Sequence, residues 1–383
     1  MSPPPRHGRR RPTIHSLLSP HASAVLDIDL AAIAANWRLL CDKHPGGPVA
    51  AVVKANGYGL GAAPIAAHLA RVGCRHFFVA HLDEAIFLRP HISGHFLAVL
   101  NGLIPGSEAD FIAHDILPCL GSPPEISAWS AAARAAAKKR PALLHIDTGM
   151  SRLGLDVAQV SALVDDPSRL DGVDLRFIMT HLVSSEIAAD PLNHRQQKIF
   201  GAACARLPPV PQSIANSSGI FLGPDWASDL ARPGAALFGI NPTPAKKNPM
   251  HPVARLTARV LQVRDVHAGE TVGYNSTWTA PPSPLGPRRI AAVGIGYADG
   301  WHRILSNRGC ARFDGTVLPL VGRVSMDLTT FDITARPDIA PGAMLELLGP
   351  EHGPDAVAEQ AGTNGYEILT SLGARIARNY HTV

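Results

Sequence analysis

In AVVKANGYGLGA, residues 51 to 62, Lys54 closes a run of small apolar residues, and Tyr58 follows in a turn punctuated by glycines. A lysine so placed is either a rim ammonium reaching out to water or a partly buried amine of lowered pKa, the kind that forms a Schiff base with a carbonyl cofactor or substrate. Asp147, His181, Asn216 with Ser217, and Arg232 end other apolar runs in the same way. NSSG (216–219) and RPG (232–234) read either as capped turns or as a phosphate cradle of amides and hydroxyls, and a phosphate would make pyridoxal phosphate the carbonyl partner of Lys54. Taken singly, His181 in MTHL also reads as a core histidine, and Asp147 with Arg152 in HIDTGMSRLG as a structural ion pair. Tyr274 in GYNSTW, Tyr297 in IGYADG, and Met326 with Asp327 in VGRVSMDL are, by spacing alone, strand residues.

The elements that must position these groups alternate in type. Between Val49 and Ile240 the runs AVVKAN, FFVAHL, FLAVLNG, LPCLG, LLHIDTG, FIMTHL, SIANSS and AALFGI are eight candidate strands, separated by stretches of helical spacing such as GAAPIAAHLARVG and EISAWSAAARAAAKKR. That alternation predicts a parallel sheet, and eight units favour a closed (β/α)8 TIM-like barrel over an open doubly wound sheet, for which no early GxGxxG is present. Reactive groups at strand ends would then share one rim. AVLDIDL is an extra strand before the barrel that could pair with a second domain, and AAIAANWRLL after it is helical. Beyond the proline-rich NPTPAKKNPMHP the texture becomes strand-like, with ARLTARVLQV, RRIAAVGIGYA, TVLPLVGRVSM and MLELLG and one short helix near 355–361. The expected organisation is a disordered basic leader at 1–22, an α/β barrel at 23–250 and a mainly β C-terminal domain at 251–383.

Composition narrows the class. The 383 residues are 46% hydrophobic, enough for substantial cores, and the formal net charge is only +4. Much of that charge lies in the leader, at Arg6, Arg9, Arg10 and Arg11, so the body is near neutral and no nucleic-acid partner is expected. No window approaches a membrane-spanning length, so no membrane partner is expected either. Five scattered cysteines without a CxxC point to a reducing, cytoplasmic setting and no metal site.

Together these stretches resemble the alanine racemase family: AVVKANGYG, IDTGMSRLG, MTHL, NSSG, RPGAALFG, VGYNSTW, IGYADG and VGRVSMD occur in family order from about Ala24 to the C-terminus. The resemblance implies a barrel plus C-terminal β domain and interconversion of L- and D-alanine through a pyridoxal 5'-phosphate aldimine, supplying D-alanine for peptidoglycan or serving catabolism. It gives Lys54 as cofactor anchor and base on the D-enantiomer's face, and Tyr274, from a second subunit, as base on the L-enantiomer's face. Two opposed bases suit racemisation because a proton leaves one face of the α-carbon and returns on the other. Tyr58, Asn216, Ser217 and Gly234 would hold the cofactor's phosphate end, and Arg232 its pyridine nitrogen. His181, Arg232 and Arg152 would stabilise the phenolate of Tyr274. Arg152 and the amide of Met326 would meet the substrate carboxylate, with Asp327 and Tyr297 in support. A site shared between subunits implies a homodimer.

Four positions depart from the family pattern. Leu60 replaces a histidine, Phe238 replaces a tyrosine, and His145 stands where many members carry a carbamylated lysine that steadies the arginine. Ala374 falls where some members place a phosphate-binding tyrosine, which predicts a weaker phosphate grip or a roomier pocket. Two other readings use the same barrel, a fold-sharing amino-acid decarboxylase and a pyridoxal-phosphate carrier. RPG and the absence of a cysteine-bearing substrate motif weigh against the first, and the second domain with Tyr274 and Met326 against the other.

Overall fold

The computed structural model describes residues 21–284 and 286–382, so residues 1–20 of the expected leader lie outside the described residues. Two compact units are present. One comprises Asp29–Ala254 with Leu348–Leu372; the other gathers the described residues 21–28 with Arg255–Leu347 and Gly373–His381. Both are discontinuous, so a single cut near residue 250 does not describe them.

Strand β1 (Ala24–Asp29) alternates buried and half-buried positions. Asp29 then accepts a hydrogen bond from the Ala32 amide at 2.8 Å and caps the helix Leu30–Lys43. The barrel strands follow as β2 (Ala51–Val52), β3 (His76–Val79), β4 (Phe96–Val99), β5 (Leu117–Leu120), β6 (Arg140–His145), β7 (Val173–Met179) and β8 (Gln212–Ser213). They pair in chain order, every pair parallel. Helices such as Ala62–Arg71 and Pro123–Ala135 form the crossovers. Because both faces of such a sheet are covered, its strands read as unbroken apolar runs, and Leu117–Leu120 is buried throughout. Val52, Phe78, Ala98, Cys119, Leu143 and Met179 meet in the interior.

The eighth barrel position is filled by residues 230–233. The Ala50 amide donates to the Ala231 carbonyl (2.9 Å) and that of Val52 to the Pro233 carbonyl (3.0 Å), while on the other side the Arg232 amide donates to the Ala215 carbonyl (2.8 Å). AALFGI, expected as the eighth strand, is instead a 3-10 turn at Ala235–Phe238. Pro233 supplies no N–H to a ladder, so pairing stops there.

The other unit is built on an antiparallel-rich sheet. Its path runs Thr316–Pro319, Cys310–Phe313, Met344–Leu348, β9 (Ala254–Val266), β1 and Ala377–His381, and Arg288–Val293 pairs with both β9 and Thr329–Asp332. AVLDIDL thus joins the second sheet. Conversely, the helices Pro354–Ala361 and Gly365–Ser371 belong with the barrel, although the sequence division put that stretch in the C-terminal domain and foresaw only the first helix.

Candidate active site

The lysine-bearing loop is a left-handed turn. Ala55, Asn56 and Tyr58 have φ of 53°, 53° and 54°, and Gly57 lies between them at 64°. Such a conformation costs a non-glycine residue about 1–2 kcal/mol, so the surroundings must hold it. Gly57 and Gly59 amides donate to the Val53 and Ala55 carbonyls (2.8 Å each), and the Ala62 amide to Asn56 Oδ1 (3.0 Å). Gly59 is pressed on the helix Gly365–Ser371, where a Cβ would fall 2.1 Å from the Leu369 carbonyl oxygen. Lys54 and Tyr58, at opposite ends of this turn, both line a cavity of about 330 Å³ at the C-terminal rim, where loops after strands put functional groups.

Burial chiefly, and the charge of Arg152 next, lower the Lys54 pKa, while Glu84 works the other way. The sign is that of a lysine tuned for nucleophilic chemistry. Burial drives the Tyr58 pKa up, so its hydroxyl stays protonated and donates. Beside it Ser217 Oγ accepts from the amides of Gly234 (3.0 Å) and Ala236 (3.2 Å). A Cβ on Gly234 would fall 2.2 Å from Tyr58 Oη, so bare backbone is required there. Phe238 stacks on the Tyr58 ring, with centroids 4.7 Å apart, and replaces a hydroxyl with packing.

Arg232 is buried in the cavity wall and donates to Ser213 Oγ and to the Thr180 carbonyl; burial lowers its pKa to about 10. His181, which also lines the cavity, is pushed down to about 3 by burial first and then by Arg232, Lys54 and Arg152, so its ring is neutral. His145 is held neutral in the same way, at about 4. Asn216 lines the cavity and ties its loop, accepting from the Gly219 amide (2.9 Å) and the Ser185 hydroxyl (2.8 Å).

Asp147 does not act as the ion-pair partner of Arg152. Its carboxylate accepts from the amides of Gly149, Met150 and Ser151, a turn motif natural to aspartate, and Arg152 is left exposed and outside the cavity lining. Leu60 is fully buried. Ala374 is exposed and belongs to the β unit, and the aromatic that does line the cavity from the C-terminal part of the chain is Tyr366. Tyr366 stands 6.4 Å from Tyr58 between ring centroids. Sequence reasoning missed it because its signal, GYEILTS, looks like any amphipathic helix start. Glu186 and Thr370 were missed as well.

The remaining expected residues lie in the β unit. The Tyr297 and Ala298 amides donate to the Ser325 and Met326 carbonyls (3.0 Å each), bringing IGYADG and VGRVSMD together. Gly273, just before Tyr274, packs against Arg323 of the second loop. Asp327 is ion-paired with Arg375 (2.8 Å), which also bridges to Asp299, in keeping with a supporting role. Tyr274, Met326 and Tyr297 are 69%, 54% and 43% exposed, high values for such apolar side chains.

The donor set fits pyridoxal phosphate. It provides a desolvated amine at one end, a glycine-floored pocket with two hydroxyls at the other, and a buried guanidinium in the wall.

Residues 28–242 match the family profile described as "Alanine racemase, N-terminal domain", and residues 253–380 that described as "Alanine racemase, C-terminal domain". An alanine racemase of Acidiphilium cryptum is 53% identical over 92% of this chain and 97% of its own. A catabolic alanine racemase of Mesorhizobium japonicum is 48% identical over 94% and 93%. Among solved structures, alanine racemase from Bartonella henselae with covalently bound pyridoxal phosphate superposes with a TM-score of 0.89 at 40% identity, over 94% of this chain and 100% of that one.

Proposed function

The chain belongs to the alanine racemase family, and from that premise we propose that it interconverts L- and D-alanine with pyridoxal 5'-phosphate held on Lys54. The observation that carries the reading is the cavity itself, with the depressed Lys54 amine facing a cradle of Tyr58, Ser217 and Gly234. When bound, the cofactor supplies an electron sink that acidifies the α-hydrogen of an attached amino acid.

The chain's residues do the rest. Lys54 anchors the cofactor and moves the proton on the D-enantiomer's face. Tyr58, Ser217, Asn216 and the Gly234 backbone hold the phosphate end, with the phenol of Tyr58 as donor. Arg232, locked by Ser213 and Thr180, stands at the pyridine nitrogen. A guanidinium there keeps that nitrogen unprotonated and weakens the sink, which favours return of the proton over side reactions. Tyr274 moves the proton on the L-enantiomer's face, and the neutral His181, Arg232 and Arg152 support it. Arg152 and the Met326 amide receive the substrate carboxylate, with Asp327 and Tyr297 behind them.

Two broader parts of the proposal rest on surface and composition. Exposure of Tyr274, Tyr297 and Met326 supports a homodimer in which each site takes its tyrosine from the second copy. All five cysteines are reduced thiols, which supports a cytoplasmic location.

The test is direct. Purified protein should be yellow, exchange the α-hydrogen of alanine with heavy water and convert either enantiomer to the other. Release of carbon dioxide would redirect the reading to the decarboxylase, and cofactor binding without any α-exchange to the carrier.

A further inference from the structure

Glu84, at the third position of the helix Leu82–Leu88, sits one strand along from Lys54. One carboxylate oxygen accepts from the amides of Ala80 (2.8 Å) and His81 (3.1 Å), in its own loop. The other accepts from the Ala55 amide at 2.6 Å and the Asn56 amide at 3.4 Å, the first two residues of the left-handed turn. Glu125, placed similarly after β5, takes the Gly121 and Ser122 backbone amides of its own loop and packs against Gly102 of the loop after β4.

The leading amides of a helical turn have no acceptor within it, whatever its hand, and a negative charge there complements their dipoles. Ala55 and Asn56 also carry a Cβ through the left-handed region, where only glycine is at ease, so without an outside acceptor the loop gains by relaxing. The Lys54 Cα is bonded directly to the peptide whose N–H Glu84 grips. On the reading of Lys54 as the cofactor-bearing lysine, we propose that Glu84 is a positioning residue. Its carboxylate clamps the Ala55 and Asn56 amides, holds the turn left-handed and so aims the Lys54 amine and the Tyr58 hydroxyl into one cavity.

The test uses full-length protein, with and without pyridoxal phosphate, as wild type, Glu84→Ala, Glu84→Gln, Ala55→Gly and the double variant Glu84→Ala/Ala55→Gly. Amide hydrogen exchange at residues 55 and 56 reads the clamp without the cofactor; titration of the visible absorption band with pyridoxal phosphate reads its consequence. Glu84→Ala should speed exchange at both amides and weaken cofactor affinity about tenfold, the scale of a lost helix cap. Glu84→Gln, which keeps one acceptor oxygen, should fall between it and wild type. Ala55→Gly in the Glu84→Ala background should recover most of the affinity, because glycine takes the left-handed conformation unaided.

Unchanged exchange at residues 55 and 56 in Glu84→Ala would overturn the clamp. So would a double variant no better than Glu84→Ala, with Glu84→Gln equally weak, since Glu84 would then act through charge alone. Should Glu84→Ala not fold, Glu84→Gln with and without Ala55→Gly makes the same comparison. A wild type that fails to bind pyridoxal phosphate would instead sink the functional reading and leave the exchange result to judge the clamp.

Discussion

Two phenols in this chain have opposite surroundings and, accordingly, opposite tasks. Tyr58 is buried against Phe238 and Gly234 and its pKa is driven up, so it keeps its proton and is available as a donor. Tyr274 stands largely in solvent. A Tyr274→Phe variant should keep its colour and its α-hydrogen exchange with D-alanine, and lose exchange with L-alanine by about 10²- to 10⁴-fold, the usual contribution of a general base. Racemisation should fall equally from both sides, because the enantiomers have equal free energy. Exchange followed by NMR in heavy water measures this, and equal exchange of both enantiomers would remove Tyr274 from the mechanism. His145 carries a second residue-scale prediction. Its folded pKa is about 4 against an ordinary 6.5, so below pH 6.5 the unfolded chain takes up a proton that the folded one refuses. The stability it contributes is complete above that pH and is lost as pH falls towards 4, by on the order of 3 kcal/mol. Urea unfolding of the cofactor-free protein should show the slope, and His145→Asn should make it shallower, with the part due to His181 remaining. Lys54, His181, Ser217 and Arg232 stood out because polar residues that end apolar runs are conspicuous, and Tyr58 through the resemblance of its motif. Glu84 and Tyr366 were not, since their importance comes from neighbours 28 or more positions away in the chain.

At the scale of elements, the lysine turn is the part least expected from propensity. Consecutive left-handed residues are unfavourable locally, and the helix Gly365–Ser371, the carbonyls around Gly57, the Asn56 side chain and the Glu84 carboxylate together offset that cost. Gly59 and Gly94 separate the two costs of adding a side chain here. Both have positive φ, 82° and 75°, but a Cβ at Gly59 would strike Leu369, whereas at Gly94 it meets nothing within 4 Å. Gly94→Ala should therefore cost about 1 kcal/mol from backbone strain alone. Gly59→Ala should cost ~1–3 kcal/mol more and also weaken pyridoxal phosphate, because helix and turn must part. Equal losses in denaturant titrations would mean that the helix gives way freely. The strand and helix alternation was readable because buried parallel strands are apolar throughout and their crossovers are amphipathic. The eighth position was misread for a local reason: AALFGI is as apolar as a strand, but Pro233 and Gly234 have already ended the ladder. The pairing of β1 with the second sheet was foreseen, whereas the placement of Leu348–Leu372 depends on long-range contacts, which periodicity does not encode.

For the whole molecule, the proposal to be tested is that Tyr274 of one copy serves the Lys54 site of another. Tyr274, Tyr297 and Met326 are exposed and so available to a second copy, as the proposed dimer requires. A shared site makes a prediction that no one-chain site can imitate. Lys54→Ala and Tyr274→Phe proteins should each lose racemisation on their own. Co-refolded in equal amounts, they give mixed dimers as half of the population if association is random. With sites shared across the dimer, one site of every mixed dimer combines both lesions, and the other combines the intact Lys54 of one chain with the intact Tyr274 of its partner. One working site in two, in half of the dimers, is about a quarter of wild-type racemisation. If each chain supplied both bases to its own site, every site would carry one lesion and the mixture would stay as inactive as its parents. Racemase assays on the mixture, with size-exclusion chromatography to establish the dimer, therefore decide between a shared and a private site.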